Sequence, residues 1–337
     1  MERSSMKAVV YSEYGPPEVL KVNEIPTPVP GDNEVLVRNY ATTVNYGDLA
    51  GRNFPAISPR DFNMPLLFWF MAKLYFGVGK PRNGILGSEF AGQVAAVGKN
   101  VVAFKTGDRV FGYLGQKMGA YAEYITMPET GCLTSIPAGL SYEEAAVMPY
   151  GSTMALPLLR KMQIRPGHKV LINGASGGIG SAAVQIAKHF GAEVTGVCGG
   201  QRMAFVLSLG ADKVFDYTKE DFLKNGETYD LIIDIRGRLP FSRIKNSLKT
   251  DGRILYVSFK GKHLFLKFWT ALFSSRKVHC TLASGSAEDL RAVRDMIESG
   301  TLQSTVTESF PIEKAAEAHR QLEEGRNKGT VVIRMAE

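Results

Sequence analysis

The chain has 337 residues, of which 45% are hydrophobic and 22% charged, a composition typical of a soluble globular protein with two domains. Its net charge of +7 comes from 40 basic residues scattered among 33 acidic ones, which argues against nucleic acid as the main ligand. Cys132, Cys198 and Cys280 are odd in number and far apart, so they indicate a reducing compartment instead of a disulfide framework. Residues 1–15 contain no apolar core of signal-peptide length, and we expect a cytoplasmic protein.

The first third of the chain, from Met6 to about Met127, consists of short alternating runs separated by Gly- and Pro-rich turns. This pattern predicts an antiparallel barrel or a related β domain. The predicted strands are Lys7–Tyr11, Val19–Ile25, Glu34–Asn45, Ala91–Val97, Arg109–Tyr113 and Ala120–Thr126. Near Leu140 the pattern changes to helices, and Ser141 with Glu144 has the spacing of a capping box.

Residues 169–197 form the best-defined unit of the sequence, a βαβ pattern with a Gly-rich turn at Gly174–Gly180. Such a turn lets the backbone approach the pyrophosphate of a dinucleotide, and a strand before it and a helix after it make the assignment specific. The second strand is followed by Arg202, with no carboxylate until Asp212. A cation at this place suits the 2′-phosphate of NADP, so the sequence predicts NADPH, unless Arg202 is an ordinary solvated arginine.

The second half of the chain alternates strands and helices, which predicts a doubly wound parallel sheet. The predicted elements after the nucleotide unit are Leu207–Val214, Leu231–Asp234, Phe241–Leu248, Arg253–Phe259 and Val278–Ala283. Helices near Ala287–Ser299 and Ile312–Glu324 and a strand at Gly329–Met335 follow. We expect a Rossmann domain at 129–285, and a catalytic domain at 1–128 that 286–337 completes. The apolar strand Val278–Ala283 would leave a sheet edge that favours a homodimer.

Several motifs together resemble the medium-chain dehydrogenase/reductase superfamily, and they cover nearly the whole chain. They are Ala41–Asp48, Leu86–Gly92, Val97–Gly98, Thr106–Val110, Gly119–Tyr124, Gly174–Gly180, Leu209–Ala211 and Asp216–Tyr217. The resemblance implies an α/β fold with a GroES-like β-barrel domain and a Rossmann domain. In the alcohol dehydrogenases of this superfamily a Cys and a His bind zinc at the positions that Asn45 and Ser88 occupy here.

The chain therefore resembles the zinc-free quinone oxidoreductase branch, which implies reduction of quinones or α,β-unsaturated carbonyl compounds with NADPH. The five histidines and three cysteines form no cluster in sequence of the kind that a catalytic zinc needs, so no metal is expected. Without a Lewis acid, alcohol oxidation is disfavoured, whereas electrophilic acceptors stay reducible by hydride. The alternatives are a zinc-independent alcohol dehydrogenase or carbonyl reductase, and a non-catalytic NADPH-binding scaffold.

The resemblance also implies roles for individual residues. Asn45 would hydrogen-bond the acceptor carbonyl or the nicotinamide ribose, with Tyr46 beside it; Asp48 would act there or cap a helix, and Tyr121 would be a proton donor or a structural tyrosine. No residue is an obligatory acid, and water is an alternative proton source. The predicted cofactor-binding residues are Thr153, Ala175, Ser176, Gly177, Gly178, Ile179, Gly200, Arg202, Tyr217, Gly237, Ser258, Phe259 and Asn327.

Two aromatic-rich stretches, Phe62–Gly79 and His263–Phe273, distinguish this chain from a plain quinone reductase. Each is shorter than the roughly 20 apolar residues of a membrane span. Three interpretations are open: ordinary core, walls of a pocket for a bulky apolar acceptor, or a face that docks on a membrane with help from Lys260, Lys262, Arg276 and Lys277.

Overall fold

The computed structural model describes residues 4–283, 285–325, 327 and 329–336. Strands of 3 to 11 residues build the first sheet, and in its two longest strands most side chains are buried. Its strand order is β14-β15-β3-β4-β5-β7, with β6 paired to β3, and all pairs except β14–β15 are antiparallel. The strands are β3 (Glu34–Val44), β4 (Glu89–Val97), β5 (Arg109–Tyr113), β6 (Tyr124–Pro128), β7 (Leu133–Ser135), β14 (Val306–Pro311) and β15 (Thr330–Arg334).

An antiparallel hairpin of β1 (Ser5–Val10) and β2 (Lys21–Pro26) lies beside this sheet and is joined to it by bridges at Ala8 and Val10. Two helices interrupt the strands, α1 (Tyr46–Arg52) and α2 (Leu66–Phe76). The pairing of β7 with β5 extends the first sheet past residue 128, where the sequence predicts the domain boundary. The strands β14 and β15 return to the same sheet from the C-terminal part.

The second sheet has six parallel strands in the order β10-β9-β8-β11-β12-β13. Its inner strands carry apolar runs such as Val170–Ile172 and Leu231–Ile233, as expected of a parallel sheet that helices cover on both faces. They are β8 (Lys169–Asn173), β9 (Glu193–Cys198), β10 (Lys213–Asp216), β11 (Tyr229–Asp234), β12 (Leu248–Tyr256) and β13 (Lys277–Cys280). The doubly wound sheet predicted from the sequence is therefore present, with β13 at its edge.

The remaining helices are α3 (Tyr142–Ala146), α4 (Pro149–Lys161), α5 (Gly178–His189), α6 (Met203–Ser208), α7 (Phe241–Ile244), α8 (Gly261–Phe273), α9 (Ala287–Glu298) and α10 (Ala315–Glu323). Ser141 caps α3 in the predicted capping box. One buried cluster runs from Val35 and Phe90 of the first sheet to Ile172 and Leu255 of the second, so the two sheets share a core. In the described ranges, no helix has the length and apolar character needed to cross a bilayer.

Candidate active site

A cleft of about 770 Å³ lies between the two sheets, at the carboxyl edge of the parallel one. Ligands of open α/β sheets bind at this edge. The predicted residues that line the cleft are Asn45, Tyr46, Ser176, Gly177, Gly178, Ile179, Arg202, Ser258 and Asn327. The other predicted residues do not line the cleft: Asp48, Tyr121, Thr153, Ala175, Gly200, Tyr217, Gly237 and Phe259.

Asn45 stands where β3 ends and α1 begins, and it is the N-cap of α1. Its Oδ1 accepts a hydrogen bond from the Gly47 amide at 2.8 Å, and its Nδ2 donates to the Ser88 hydroxyl at 2.8 Å. An asparagine amide carries two N–H donors, and besides the contact with Ser88 the Asn45 side chain also hydrogen-bonds the Glu89 carboxyl, which favours the ionised form of that carboxyl. Tyr46 follows it with 68% of its surface exposed.

The pair Asn45–Ser88 occupies the two positions at which zinc enzymes of the resembled superfamily hold their ligands. The described residues contain no group of three or more His, Cys, Asp or Glu side chains arranged to hold a metal ion. Amide and hydroxyl groups are not the thiolate, imidazole and carboxylate ligands that zinc selects. The local chemistry therefore suits hydrogen bonding to a ligand.

Glu89 adds a buried carboxyl to the floor of the cleft, and the sequence analysis assigned it no role. It accepts hydrogen bonds from the Thr43 hydroxyl of β3 and from the Tyr150 amide of α4 at 2.8 Å, so it links both halves of the molecule. Burial raises the pKa of Glu89 to about 7. Its place directly after Ser88 in the Gly-Ser-Glu motif was the available signal.

Asp48 and Tyr121 do not line the cleft, so the structure gives them no direct contact with a ligand there and the catalytic role that we expected for them stays a prediction. The Asp48 carboxylate is fully buried and accepts hydrogen bonds from the amides of Asn45 and Gly87, each at 2.9 Å. It completes the capping box of α1, the structural alternative. Tyr121 is also fully buried, and its hydroxyl lies 2.9 Å from Nε2 of His319. Burial raises the pKa of Asp48 to about 7 and that of Tyr121 well above its ordinary value.

His319 continues this buried network toward the cleft. Its Nδ1 lies 2.9 Å from Nη1 of Arg52, which also pairs with the Glu323 carboxylate at the cleft lining. Since arginine only donates, Nδ1 accepts and the neutral imidazole carries its proton on Nε2, which donates to Tyr121. Burial and the Arg52 charge lower the pKa of His319 to about 3. The network joins α1 to α10 and holds one wall of the cleft.

The glycine turn between β8 and α5 supplies the donors for an anionic ligand. Gly177 is the N-cap of α5 and provides no side-chain cap, so the amides of the first helical turn have no partner within the helix. A Cβ at Gly180 would lie 2.1 Å from the Gly174 carbonyl oxygen, which is why this position needs glycine. The uncapped amides and the positive end of the helix dipole suit a pyrophosphate.

The side chains of Thr153 and Ala175 are completely buried and do not line the cleft, so the cofactor contacts expected of these residues stay a prediction. The Thr153 hydroxyl donates to the Pro149 carbonyl at 2.6 Å within α4. Tyr150 and Gly151 of α4 line the cleft instead. A Cβ at Gly151 would lie 2.3 Å from the Gly178 carbonyl oxygen, so this glycine allows α4 to touch the turn.

Arg202 lines the cleft after β9, but its guanidinium is not simply solvated. Its Nε donates to the Asn327 carbonyl at 3.1 Å, and its Nη2 donates to the Gly325 carbonyl at 2.7 Å. Asn327 in turn donates from Nδ2 to the Gly329 carbonyl at 2.6 Å. Arg202 therefore ties the Rossmann sheet to the C-terminal return, and the two contacts leave other N–H donors of its fork for an anion.

Gly200 and Tyr217 lie beside Arg202 but outside the cleft lining, contrary to expectation. Tyr217 has 56% of its surface exposed. A Cβ at Gly200 would come within 2.3 Å of Oδ2 of Asp216, a carboxylate at the end of β10 and the first residue of the Asp216–Tyr217 motif. Hydrogen bonds from the hydroxyl and amide of Thr218 lower the pKa of Asp216 and engage its Oδ1.

The opposite end of the cleft is lined by Ser258 after β12 and by the loop after β11. Gly237 has φ of +62° and its Cβ position would overlap the Ser258 carbonyl oxygen, so it supports the loop without lining the cleft. Phe259 is buried in the core and does not line it either. Arg236 and Arg238 follow the carboxyl end of β11 and are exposed residues of the cleft lining. Neither was predicted from the sequence.

Comparison with known families gives two matches along the chain. A model described as an alcohol dehydrogenase GroES-like domain matches residues 31–138. A model described as a zinc-binding dehydrogenase matches residues 209–333. These matches confirm the predicted fold class, a GroES-like domain combined with a Rossmann-like sheet.

Several known proteins are similar over nearly the full length. The human quinone oxidoreductase is 31% identical over 95% of this chain and 94% of its own, and a trans-enoyl reductase of Aspergillus terreus is 29% identical over 99% and 97%. The structure of Escherichia coli quinone oxidoreductase complexed with NADPH has a TM-score of 0.79 at 26% identity, covering 97% of this chain and 99% of its own. An NAD-dependent alcohol dehydrogenase structure has a TM-score of 0.81 at 32% identity, covering 98% and 100%.

Proposed function

Since the chain belongs to the quinone oxidoreductase type of the medium-chain dehydrogenase/reductase superfamily, we propose that it reduces quinones or α,β-unsaturated carbonyl compounds, apolar ones in particular, with NADPH and without zinc. Membership makes it an NAD(P)H-dependent oxidoreductase; the acceptor class and the preference for NADPH are the proposal. The observation that carries it is the single cleft that combines the uncapped start of α5 with the Asn45–Ser88 pair.

The residues of the cleft fit a nicotinamide dinucleotide. Backbone donors from Gly177 to Ile179 would hold its pyrophosphate, and Arg202 would meet a 2′-phosphate. Ser258 and the loop at 235–238 would border the nicotinamide half. When bound, the reduced nicotinamide supplies the hydride that an electrophilic acceptor takes up.

Asn45 would bind the acceptor in this arrangement. Its side-chain amide lines the cleft beside Glu89 and would exchange that contact for a hydrogen bond to the acceptor's carbonyl oxygen, which gains negative charge as hydride arrives at the conjugated carbon or ring. The helix cap and the Ser88 contact hold the amide in place. One hydride and one proton complete the reduction, and water is the proposed proton source.

The test is a screen of cofactor oxidation. Purified protein is mixed with NADPH or NADH and with quinones, enals or enones, and the near-ultraviolet absorbance of the reduced cofactor is followed. We expect turnover with these acceptors and preference for NADPH. Turnover of NADP⁺ with secondary alcohols but not with these acceptors would favour the carbonyl reductase alternative. Cofactor binding without any turnover would favour the scaffold.

We also propose a homodimer in the cytoplasm. The strand β13 is the edge of the parallel sheet, and although the Thr270 hydroxyl already occupies the Val278 amide, a second copy would pair with the edge groups that remain. Light scattering during size-exclusion chromatography at several concentrations tests this, and a constant monomer mass contradicts it.

A further inference from the structure

The helix α8 presents an apolar stripe to solvent. Phe265, Phe268, Trp269, Leu272 and Phe273 are spaced as i, i+3, i+4, i+7 and i+8, and their exposed fractions run from 44% to 77%. This is the spacing of one helix face, which in a globular protein normally turns toward the core. In α8 a different side of the helix faces the core, and it carries His263 and Thr270.

The buried side of α8 fixes this orientation. His263 is stacked on Tyr256 with ring centroids 4.2 Å apart, and its Nδ1 accepts a hydrogen bond from the Lys260 amide at 3.0 Å. The Thr270 hydroxyl accepts from the Val278 amide of β13 at 3.1 Å. Polar groups thus anchor the helix, and its largest apolar side chains point away from the protein.

The helix α2 has the same character. None of its residues is buried, and Leu67, Phe70, Met71 and Leu74, with Val78 beyond its end, are all more than half exposed at helical spacing. This overturns the core interpretation of the stretch Phe62–Gly79. Neither α2 nor α8 lines the cleft, and Asn63 is the residue of the stretch Phe62–Gly79 that does, so the pocket-wall hypothesis has support at that one point.

The two helices start close to each other at the cleft. Nζ of Lys260, the residue before α8, donates to the Arg60 carbonyl in the segment before α2. Met64 packs on the same core cluster as Leu264 and Leu266 of α8. Asn63 and Ser258, just before these points, line the cleft. The helices that carry the two apolar stripes therefore begin near the cleft. The exposed apolar side chains of α2 and α8 are together called the apolar surface.

The charged residues of the two chain segments that carry the apolar surface are all basic. No acidic residue occurs between Asp61 and Glu89 or between Asp251 and Glu288. Both segments carry basic residues, and Lys260 directly precedes α8. Six others lie within or near the two helices: Lys73, Lys80, Lys262, Lys267, Arg276 and Lys277. None of these six forms a salt bridge with another described residue.

We propose that the apolar surface docks on an anionic phospholipid bilayer. Aromatic and leucine side chains on one face with lysines at its borders are the composition of a helix that lies in the membrane interface. A second copy fits less well, because a two-fold interface brings the same cations against one another, whereas anionic headgroups neutralise them. The cleft beside the surface would then receive acceptors from the lipid, a consequence that rests on the proposed function.

The experiment is co-sedimentation of the whole chain with vesicles of phosphatidylcholine, with or without phosphatidylglycerol. One variant combines Phe268→Ser and Leu272→Ser, and a second combines Lys73→Gln and Lys262→Gln. The matched control combines Val102→Ser and Lys105→Gln, an exposed apolar residue and an exposed cation on the turn before β5. All four proteins are compared for thermal midpoint and for activity with a short, water-soluble quinone.

We expect wild-type protein to bind vesicles that contain phosphatidylglycerol and to lose this binding as salt is added. Both surface variants should bind at least about tenfold more weakly, and the control should bind as wild type does. Absence of wild-type binding, or unchanged binding of the Phe268/Leu272 variant, overturns the proposal. The proposal is also overturned if wild-type protein forms a concentration-dependent dimer that the Phe268/Leu272 variant does not form, while neither protein binds vesicles. Vesicle binding needs no turnover, so an inactive protein that still binds would contradict only the proposed function.

Discussion

The side-chain amide of Asn45 donates a hydrogen bond to the Ser88 hydroxyl over 2.8 Å, and so the two positions that would hold zinc ligands satisfy each other. We expect active protein to contain no stoichiometric zinc, because neither group is a favoured zinc ligand. Elemental analysis together with assays in a chelator measures this. One zinc per chain, with activity lost on chelation, contradicts it.

Asn45 both caps a helix and faces the cleft, and two substitutions separate these roles. Serine caps a helix about as well as asparagine, whereas alanine costs about 1 kcal/mol. We expect Asn45→Ser and Asn45→Ala each to lower kcat/KM by about tenfold or more through loss of the side-chain amide donor. Only Asn45→Ala should lower the urea midpoint. Full activity of Asn45→Ser would exclude a role in acceptor binding.

For Arg202→Ala we expect the KM for NADPH to rise by about 10- to 100-fold, the range of one or two charge-assisted hydrogen bonds, while the KM for NADH changes little. The lost contacts to Gly325 and Asn327 should also lower stability. Arg236→Ala serves as a control, because Arg236 is an arginine that lines the opposite end of the cleft. Equal weakening of both cofactors would restrict Arg202 to its structural contacts.

The buried carboxyl of Glu89 makes stability depend on pH. Its pKa is raised from about 4.5 to about 7, so the folded chain binds this proton more tightly than the unfolded chain. Between these pH values the contribution of Glu89 to the free energy of unfolding falls as pH rises. We expect Glu89→Gln to gain stability relative to wild type across this window. Urea midpoints from pH 4.5 to 7.5 measure the difference, and parallel curves contradict it.

Tyr121→Phe distinguishes a structural tyrosine from a proton donor. Removing the hydroxyl leaves Nε2 of His319 without its buried partner, which should cost about 1–3 kcal/mol of stability. The activity of the folded enzyme should stay close to that of wild type, since Tyr121 does not line the cleft. Loss of kcat at unchanged stability would support the catalytic role.

The sequence by itself determined the elements whose signals are local. The glycine turn before α5, the capping boxes at Asn45 and Ser141 and the apolar runs of β8 and β11 each depend on residues within one or two turns of chain. Period and cap chemistry fix such elements without knowledge of the partner, which is why the parallel sheet and the β-rich first domain were predictable.

Tertiary structure alone decided which side chains meet across long separations. Glu89 became a cleft residue because Thr43 and Tyr150 fold over it, and Arg202 became a clamp because residues 325–327 return to it. Tyr121 and Thr153 were assigned roles from the resemblance to the superfamily, yet packing buries both side chains. The direction in which the stripes of α2 and α8 face was also undetermined, because hydrophobic periodicity shows that a helix has an apolar side but not what covers it.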